Sequence, residues 1–442
     1  MVVLGLGSNL GDRLTHLRRA FSFLKKTSGI SIRSVSPIYS SDALLPDNAP
    51  DEWNHSFFNL AILCETTFSP QELLSILKSI EKKLGRSFEK KWSPRVIDID
   101  ILAWDNLVLD ENNLQIPHRC LHERPFALWP LADLAPEWIY PAPGILQGKT
   151  AAEIVRALGS RFTGDAPFHT KQIAHRIDTP ILMGVLNITS DSFSSDGIIN
   201  ESHAVEHAKN LILSGAEMID IGAESTNPNS QKISAEEEWR RLFPVLSLLK
   251  NSCDEFFISP KISIDTYHAE TAKKALDFKV DCINDVSGLD DPLMRDVIKN
   301  SDCDVVVMHH LGIPARAGKS FPSTENVCAR VHEWATQKLN LLEKENIPRE
   351  KIIFDVGIGF GKEPEQSFSL IKNINYFRDL NVRLLAAHSR KRFLTLFTNN
   401  PAHERDVETV ILSLSLAKHV DYLRVHDIDM HARAFKTERG QV

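Results

Sequence analysis

The segment KIIFDVG, residues 351–357, shows the repeated pattern from which the architecture is predicted: a short apolar run ends in a polar residue and a helical stretch follows. Seven other runs have the same form: ILMGVLN (181–187), MIDIG (218–222), KISIDT (261–266), DCINDV (281–286), DVVVMHH (304–310), RLLAAHS (383–389) and DYLRVH (421–426). Nearly continuous apolar strands are typical of a parallel sheet buried on both faces. Eight strands alternating with helices predict a (β/α)8 TIM barrel.

Polar side chains stand at or just beyond the carboxyl end of every run. They are Asn187, Glu224, Asp265, Asn284, His309, Asp355, Ser389 and His426. The βα loops of a barrel converge at that face, and barrel enzymes carry their active sites there. A single polar residue at a strand end is usually a helix cap, but eight in succession predict a catalytic barrel.

The chemistry of these strand ends suits a flat heterocycle and an anion. Asp265, Asn284 and Asp355 offer carboxylate and amide groups to an aminopyrimidinone edge, and we expect Lys391 to be the nearby cation that buried carboxylates need. On the last strand Arg424 and His426 are two residues apart, so they point the same way and are candidates to hold an anion. For any one of these residues, a structural salt bridge remains the alternative.

The chain changes character near residue 140. Before it, apolar residues at helical spacing predict a long helix over residues 71–84, and YPAPG at 140–144 then breaks the chain. We therefore predict a first domain over residues 1–158, a linker over 159–177 and the barrel over 178–442.

In the first domain, RVIDIDIL at residues 95–102 places Asp98 and Asp100 on one side of a strand. Two adjacent carboxylates repel unless a cation neutralises them, and magnesium prefers carboxylates together with phosphate oxygens. The alternative is an edge strand with a solvated acidic face.

The segment before this strand is cationic, with Lys82, Lys83, Arg86, Lys90, Lys91 and Arg95, and His118 and Arg124 follow the strand. Cations beside a metal pair are typical of phosphoryl transfer, because the cations hold the phosphate oxygens. A solvated helix end and a nucleic-acid patch are the alternatives. Aromatic residues do not interleave the cations, which disfavours nucleic acid.

Four motifs in order, GLGSNLGDR (5–13), FFNLAI (57–62), WSPRVIDIDIL (92–102) and PHRCLHERPFALWPL (117–131), resemble 6-hydroxymethyl-7,8-dihydropterin pyrophosphokinase. The resemblance implies a ferredoxin-like α+β fold and transfer of pyrophosphate from ATP to the pterin hydroxymethyl group. It implies that Asp98 and Asp100 bind two Mg²⁺ ions and that Asn59 bonds the pterin between Phe57 and Phe126. The triphosphate would be held by Arg86, Arg95, His118 and Arg124.

This first resemblance has departures in the loop between Arg86 and Trp92, which is one residue short. Phe88 stands where the family often has a second arginine, and Lys91 stands where an arginine is frequent. Lysine supplies charge without the two-pronged geometry of a guanidinium group.

Seven motifs in the second half resemble dihydropteroate synthase: residues 183–197, 222–228, 263–266, 283–288, 354–362, 388–393 and 423–427. The resemblance implies that pyrophosphate leaves the pterin and that p-aminobenzoate then attacks the methylene carbon. It implies pterin contacts from Asp265, Asn284, Asp355 and Lys391, and magnesium contact from Asn187. Pyrophosphate would be bound by Thr226, Arg424 and His426, and p-aminobenzoate would be bordered by Ser389 and Phe360.

The barrel also departs from its family. Asn227 replaces an arginine, Asn229 replaces a glycine, and Val356 stands in a turn that is usually Asp-Pro-Gly. We expect the loss of the loop cation to raise the Michaelis constant, and Asn227→Arg to lower it.

Taken together, the sequence predicts a bifunctional enzyme of folate synthesis. A pterin-binding methyltransferase barrel and a non-catalytic scaffold with degenerate sites are the alternatives. A net charge of −7, from 51 Lys and Arg against 58 Asp and Glu, argues against a nucleic-acid partner. Six scattered cysteines and an N-terminus without a basic, apolar leader favour a cytoplasmic protein with no membrane association. We also expect a homodimer through the outer helices of the barrel.

Overall fold

The computed structural model describes residues 1–87, 92–173, 175–188, 201–224, 232–256, 258–314 and 320–438. The chain divides into two compact units, Met1–Asp178 and Thr179–Val442. Within the described ranges, every helix is too short or too polar to cross a membrane.

The first unit is built on a six-stranded antiparallel sheet of order β5-β1-β4-β3-β8, with β2 also paired to β4. The strands are β1 (Val2–Ser8), β2 (Ile30–Val35), β3 (Ile38–Ser41), β4 (Phe57–Thr66), β5 (Asp98–Trp104) and β8 (Lys171–Ile173), and β6 (Leu109–Glu111) pairs with β7 (Leu114–Ile116) as a separate hairpin. The helices are α1 (Arg13–Lys26), α2 (Pro70–Lys83), α3 (Pro125–Leu134) and α4 (Ala151–Val155). The predicted small α+β unit is confirmed.

Helix α2 shows how the sequence specifies this unit locally. Pro70 occupies the first turn, where its missing N–H costs nothing, and Ser69 and Glu72 form a reciprocal capping box. Leu73, Leu77 and Ile80 are buried at helical spacing, and the helix packs on β5. The helix therefore ends directly below the strand that carries the two aspartates.

The second unit is a closed barrel of eight parallel strands in chain order, with the last strand paired to the first. They are β9 (Ile181–Asn187), β10 (Met218–Gly222), β11 (Lys261–Asp265), β12 (Cys282–Asp285), β13 (Asp304–Met308), β14 (Ile352–Asp355), β15 (Arg383–Ala386) and β16 (Tyr422–Val425). The outer helices are α5 (Glu201–Leu213), α6 (Ala235–Ser252), α7 (Ala269–Asp277), α8 (Pro292–Lys299), α9 (Val327–Lys344), α10 (Pro364–Lys372), α11 (Asp406–Leu416) and α12 (Ile428–Glu438). The predicted barrel is confirmed.

Apolar side chains fill the barrel on both sides of its strands. A large core of buried residues lies between strands and helices, and a smaller cluster that includes Met183, Val306 and Ile353 closes the interior. This is why the strands read as continuous apolar runs.

The segment expected to be a linker, residues 159–177, differs from that expectation. Its residues Lys171–Ile173 form β8, which pairs antiparallel with β3 at the edge of the first sheet. A three-residue strand is too short to show alternation, so its pairing depends on the exposed edge of β3 rather than on its own sequence.

Two candidate active sites

A pocket of about 210 Å³ opens at one end of the first sheet. Eight residues expected at the site line it together: Phe57, Asn59, Arg95, Asp98, Asp100, His118, Arg124 and Phe126. They come from β4, β5 and the start of α3, with Arg95 and His118 on the connecting segments, so the fold gathers groups that are up to 69 positions apart in the sequence, from Phe57 to Phe126.

Asp98 is the most strongly paired member of this pocket. Both of its carboxylate oxygens are bound: Arg86 donates to Oδ1, and Arg95 Nη1 lies 2.7 Å from Oδ2. Burial acts to raise the pKa of Asp98, but Arg95 and Arg86 outweigh it and hold the pKa below its usual range. The alternative interpretation was an edge strand with a solvated acidic face. Strand β5 does lie at the sheet edge, but Asp98 is paired with two arginines and is not a solvated acid.

Asp100 has a different environment although it is two residues away on the same side of β5. Its nearest basic side chains are more distant, with Lys78 Nζ at 3.7 Å and His118 Nε2 at 3.9 Å. Burial and the neighbouring Asp98 charge raise the pKa of Asp100. The two carboxylates thus have opposite pKa shifts, and a cation between them would relieve the repulsion.

Glu81 and Lys78 belong to this site, and the sequence interpretation missed both. The fully buried Glu81 accepts hydrogen bonds at Oε1 from the Ile99 backbone N–H at 2.6 Å and from Lys78 at 2.8 Å, and Arg86 lies 2.7 Å from the same oxygen. A signal was present, because Glu81 continues the four-residue spacing of the buried Leu73 and Leu77. A charge on the apolar face of a helix indicates a buried partner.

Arg86, which the sequence assigns to the triphosphate, bridges Glu81 and Asp98 in this structure and is largely buried. The pocket is also lined by Arg124, Phe57 and Phe126, which take no part in the bridge between Glu81 and Asp98. Asn59 donates a hydrogen bond from Nδ2 to Ser41 Oγ at 3.0 Å. Phe88 and Lys91 lie outside the described residues.

At the mouth of the barrel, four polar side chains form one connected group. Arg424 donates from Nε to Asp220 Oδ2 at 2.6 Å and from Nη2 to Asp265 Oδ2 at 2.8 Å, and Asn284 Nδ2 donates to Asp220 Oδ2 at 2.9 Å. Asp220 was missed, although a lone aspartate inside the apolar run MIDIG was its signal. Burial raises the pKa of Asp265 to about 7, and Arg424 acts against that rise.

This geometry adds partners that the strand pattern does not reveal. The cation in direct contact with Asp265 is Arg424, whose side chain extends from β16 to the carboxylate on β11, whereas Lys391 acts on Asp265 through its charge. Arg424 and His426 do not share one partner: Arg424 binds the carboxylates, whereas His426 Nδ1 lies 2.9 Å from Ser389 Oγ. Burial, with help from Arg390 and Arg424, lowers the pKa of His426 to about 3, so the ring is neutral near pH 7.

Lys391 and Asp355 lie on the adjoining side of the mouth. Lys391 Nζ donates to the Ile358 carbonyl at 2.7 Å and lies 5.0 Å from the centre of the Phe360 ring. Burial lowers the pKa of Lys391 to about 8, and the Asp355 charge acts against that fall. Burial raises the pKa of Asp355, and the Lys391 charge acts against that rise. The charges of Lys391 and Asp355 therefore stabilise each other.

A second lysine, which was not expected, supports the loop below Phe360. Lys362 Nζ is buried and lies 2.8 Å from His309 Nδ1, and it donates to the carbonyls of Gly357 at 2.9 Å and Phe360 at 3.0 Å. Burial lowers the pKa of Lys362 to about 7. These bonds fix the turn that carries Phe360.

The other expected residues complete the rim. Asn187 is the last residue of β9 and is exposed, and Glu224 accepts a hydrogen bond from Tyr267 at 2.7 Å. Thr226, Asn227 and Asn229 lie outside the described residues.

Known proteins match both units. The model of 7,8-dihydro-6-hydroxymethylpterin-pyrophosphokinase matches residues 3–136, and the model of pterin binding enzymes matches residues 183–426. A folate synthesis bifunctional protein of Chlamydia caviae is 37% identical over 98% of this chain and 96% of its own length. A mitochondrial one of Arabidopsis thaliana is 32% identical over 98% of this chain and 82% of its own.

Solved structures match the barrel. A dihydropteroate synthase of Anaplasma phagocytophilum with bound 6-hydroxymethylpterin-monophosphate has 37% identity and a TM-score of 0.55, over 60% of this chain and 100% of that one. A dihydropteroate synthase of Xanthomonas albilineans with 4-aminobenzoic acid has 30% identity and a TM-score of 0.53, over 60% of this chain and 93% of that one.

Proposed function

This chain belongs to the family of folate synthesis bifunctional proteins, and from that premise we propose how its residues divide the work. The first unit is a pyrophosphokinase that transfers pyrophosphate from ATP to 6-hydroxymethyl-7,8-dihydropterin. The barrel is a dihydropteroate synthase that joins the resulting pterin pyrophosphate to p-aminobenzoate. The observation that carries the proposal is the gathering of charged and aromatic groups in one pocket of the first unit and at the mouth of the barrel.

In the first unit, Asp98 and Asp100 fit Mg²⁺, because both offer hard oxygen donors on one side of β5, and burial together with the Asp98 charge raises the pKa of Asp100. Bound there, Mg²⁺ would neutralise the charge of the ATP phosphates. Arg124 and His118 lie on the same pocket wall and hold the triphosphate oxygens. Arg95 and Arg86, which bind Asp98 in this structure, would hold phosphate oxygens beside that carboxylate.

The pterin occupies the apolar part of this pocket. Phe57 and Phe126 contact the two faces of the flat ring, and Asn59 recognises its polar edge. Asn59 is suited to this because its Nδ2 donates to Ser41, which leaves the carbonyl Oδ1 directed toward the pocket side near Gly7.

In the barrel, Asp265, Asn284, Asp355 and Lys391 hold the pterin ring. Arg424 favours the ionised form of Asp265, and that carboxylate accepts hydrogen bonds from the ring N–H groups. Phe360 and Ser389 border p-aminobenzoate. Since His426 is neutral, it assists the departing pyrophosphate as a hydrogen-bond donor and not as a cation.

The remaining assignments rest on sequence position. Asn187 stands at the end of β9 and would contact Mg²⁺ there, and Thr226 would bind pyrophosphate together with Arg424. We assign the chain to the cytoplasm. We also assign it to a homodimer, because Val407 and Ile411 are exposed one turn apart on α11. Such an apolar pair on an outer helix is suited to contact with a second copy.

One assay tests the proposed reactions in sequence. The purified chain receives Mg-ATP, 6-hydroxymethyl-7,8-dihydropterin and p-aminobenzoate, and AMP and dihydropteroate are measured. We expect both products, AMP alone when p-aminobenzoate is withheld, and dihydropteroate without ATP when preformed pterin pyrophosphate is supplied. AMP without dihydropteroate in the complete mixture would contradict the barrel assignment, and absence of both products would favour the scaffold alternative.

A further inference from the structure

The segment 161–173 lies outside both matched stretches, 3–136 and 183–426, yet it folds onto the first unit beside its pocket. Three anchors hold it there. Asp133 of α3 accepts a hydrogen bond from Tyr39 Oη at 2.7 Å and is paired with Arg161. Ala166 is buried with Tyr39 and Trp129, and the third anchor is the pairing of β8 with β3.

Between these anchors, Phe168 contacts the pocket wall directly. Its ring meets the ring of Phe126 edge to face, with centroids 5.5 Å apart and an interplanar angle of 69°. Edge-to-face aromatic pairs are favourable beyond the area that they bury. Because Phe126 is part of the pocket lining, the position of its ring depends on Phe168 behind it.

The same residue also contacts a second part of the pocket lining. The carbonyl of Phe168 accepts a hydrogen bond from the Asp42 N–H at 2.8 Å, and His169 Nδ1 lies 2.5 Å from Asp42 Oδ2. Asp42 follows β3 and lines the pocket with Leu44. One short stretch therefore holds two separate parts of the pocket wall.

The backbone at this point is held in an unfavourable conformation. Phe168 and His169 have φ values of 60° and 44°, which residues with a Cβ adopt rarely. Such a conformation persists only where the surrounding contacts determine it, and it is commonly found at functional sites. Phe168 contacts both Phe126 and Asp42 while it is in this conformation.

We propose that the segment 161–173 is part of the pterin site of the first unit and that Phe168 is its positioning residue. Phe168 holds the Phe126 ring against one face of the pterin while its carbonyl holds the rim at Asp42. The inference rests on the proposed function, because it takes the pocket to be the pterin site.

The test compares Phe168→Ala with Phe162→Ala in the full chain. Phe162 is a matched control, since it lies in the same segment, is exposed, and has Arg161 at 5.3 Å from its ring centre. The Michaelis constants for the pterin and for ATP are measured separately from AMP release, and the dissociation constant of the pterin is measured by its fluorescence.

For Phe168→Ala we expect the pterin constants to rise about two- to tenfold, the range given by loss of one aromatic pair, with the ATP constant unchanged. Phe168→Tyr keeps the edge contact and should restore the wild-type constants. Dihydropteroate formation from preformed pterin pyrophosphate should be the same in all variants.

Unchanged pterin constants in Phe168→Ala would overturn the inference and leave the proposed function standing. Equal effects on pterin and ATP, or an equal effect of Phe162→Ala, would show a purely structural role and would also overturn it. A wild-type chain that neither releases AMP nor binds the pterin would overturn the proposed function together with the inference.

Discussion

Arg424 Nη2 lies 2.8 Å from Asp265 Oδ2 across the mouth of the barrel, and the same guanidinium group binds Asp220. The two aspartates are on neighbouring strands, β10 and β11, so Arg424 is the charge that lets two buried carboxylates stay close together. Removal of one partner of such a buried group leaves the others uncompensated.

Arg424→Met should move the pH dependence of the barrel reaction. Burial already raises the pKa of Asp265 to about 7, and loss of Arg424 raises it further. Because the carboxylate form accepts the pterin N–H groups, activity rises with pH through this pKa. The rising limb of kcat/KM against pH should therefore shift upward by about one to three units.

Arg424→Lys is the control for this shift. It keeps the charge but not the two-pronged geometry, so its limb should lie between those of the wild type and Arg424→Met. Kinase activity of the first unit reports that each variant is folded there. If the rising limb of kcat/KM against pH in Arg424→Met lay at the same pH as in the wild type, the role given to Asp265 would be contradicted.

Gly357→Ala should unfold or inactivate the barrel. A Cβ at Gly357 would lie 1.8 Å from the carbonyl oxygen of His309, and φ there is +70°. Overpacking and the left-handed conformation together should lower the free energy of unfolding by about 3–5 kcal/mol. Denaturant unfolding measures this loss of free energy, and dihydropteroate synthesis measures the accompanying loss of activity.

Gly359→Ala separates the two causes, because φ is also positive but the nearest heavy atom, Lys391 Cδ, is 3.9 Å away. We expect a loss of only about 1–2 kcal/mol from the backbone conformation. Equal losses for the two variants would contradict the proposed clash with His309.

The sequence could predict which residues meet at a rim but not which of them pair. Strand periodicity places Asp265, Asn284 and Asp355 at strand ends, and barrel closure then brings those ends together. The pairing of Arg424 with Asp220 joins residues 204 positions apart and depends on side-chain length and burial. Neither quantity is contained in a strand pattern.

In the first unit, too, the sequence predicts where side chains lie but not which of them pair. Alternation correctly put Asp98 and Asp100 on one side of β5, with the buried Ile99 between them on the other. It could not show that Arg86 would bind Asp98 through a network centred on Glu81, since that depends on how α2 packs on β5. The three residues of β8 carry too little pattern to predict their pairing at all.

Glu81→Gln should destabilise the first unit and weaken its kinase activity. Its Oε1 receives the Ile99 N–H and lies near both Lys78 and Arg86, while Oε2 has no hydrogen-bond partner among the described residues. Loss of the negative charge leaves two buried or half-buried cations under-compensated. We expect the free energy of unfolding to fall by about 1–3 kcal/mol, measured in denaturant.

The control for that measurement is Glu65→Gln. Glu65 pairs with Arg33 on the exposed surface, where solvent weakens the interaction, so unfolding should change little. Equal effects of the two substitutions would contradict the structural importance of the buried network.

Asp98→Ala should abolish AMP release and leave the barrel reaction intact. The substitution removes one of the two carboxylates that fit Mg²⁺ and leaves Arg86 and Arg95 without their shared partner. Asp110→Ala on the exposed hairpin strand β6 is the matched control and should retain wild-type AMP release. Both variants should form dihydropteroate at the wild-type rate from preformed pterin pyrophosphate and p-aminobenzoate. Failure of Asp98→Ala in that second assay would show that the two units do not act independently, and normal AMP release would remove Asp98 from the kinase site.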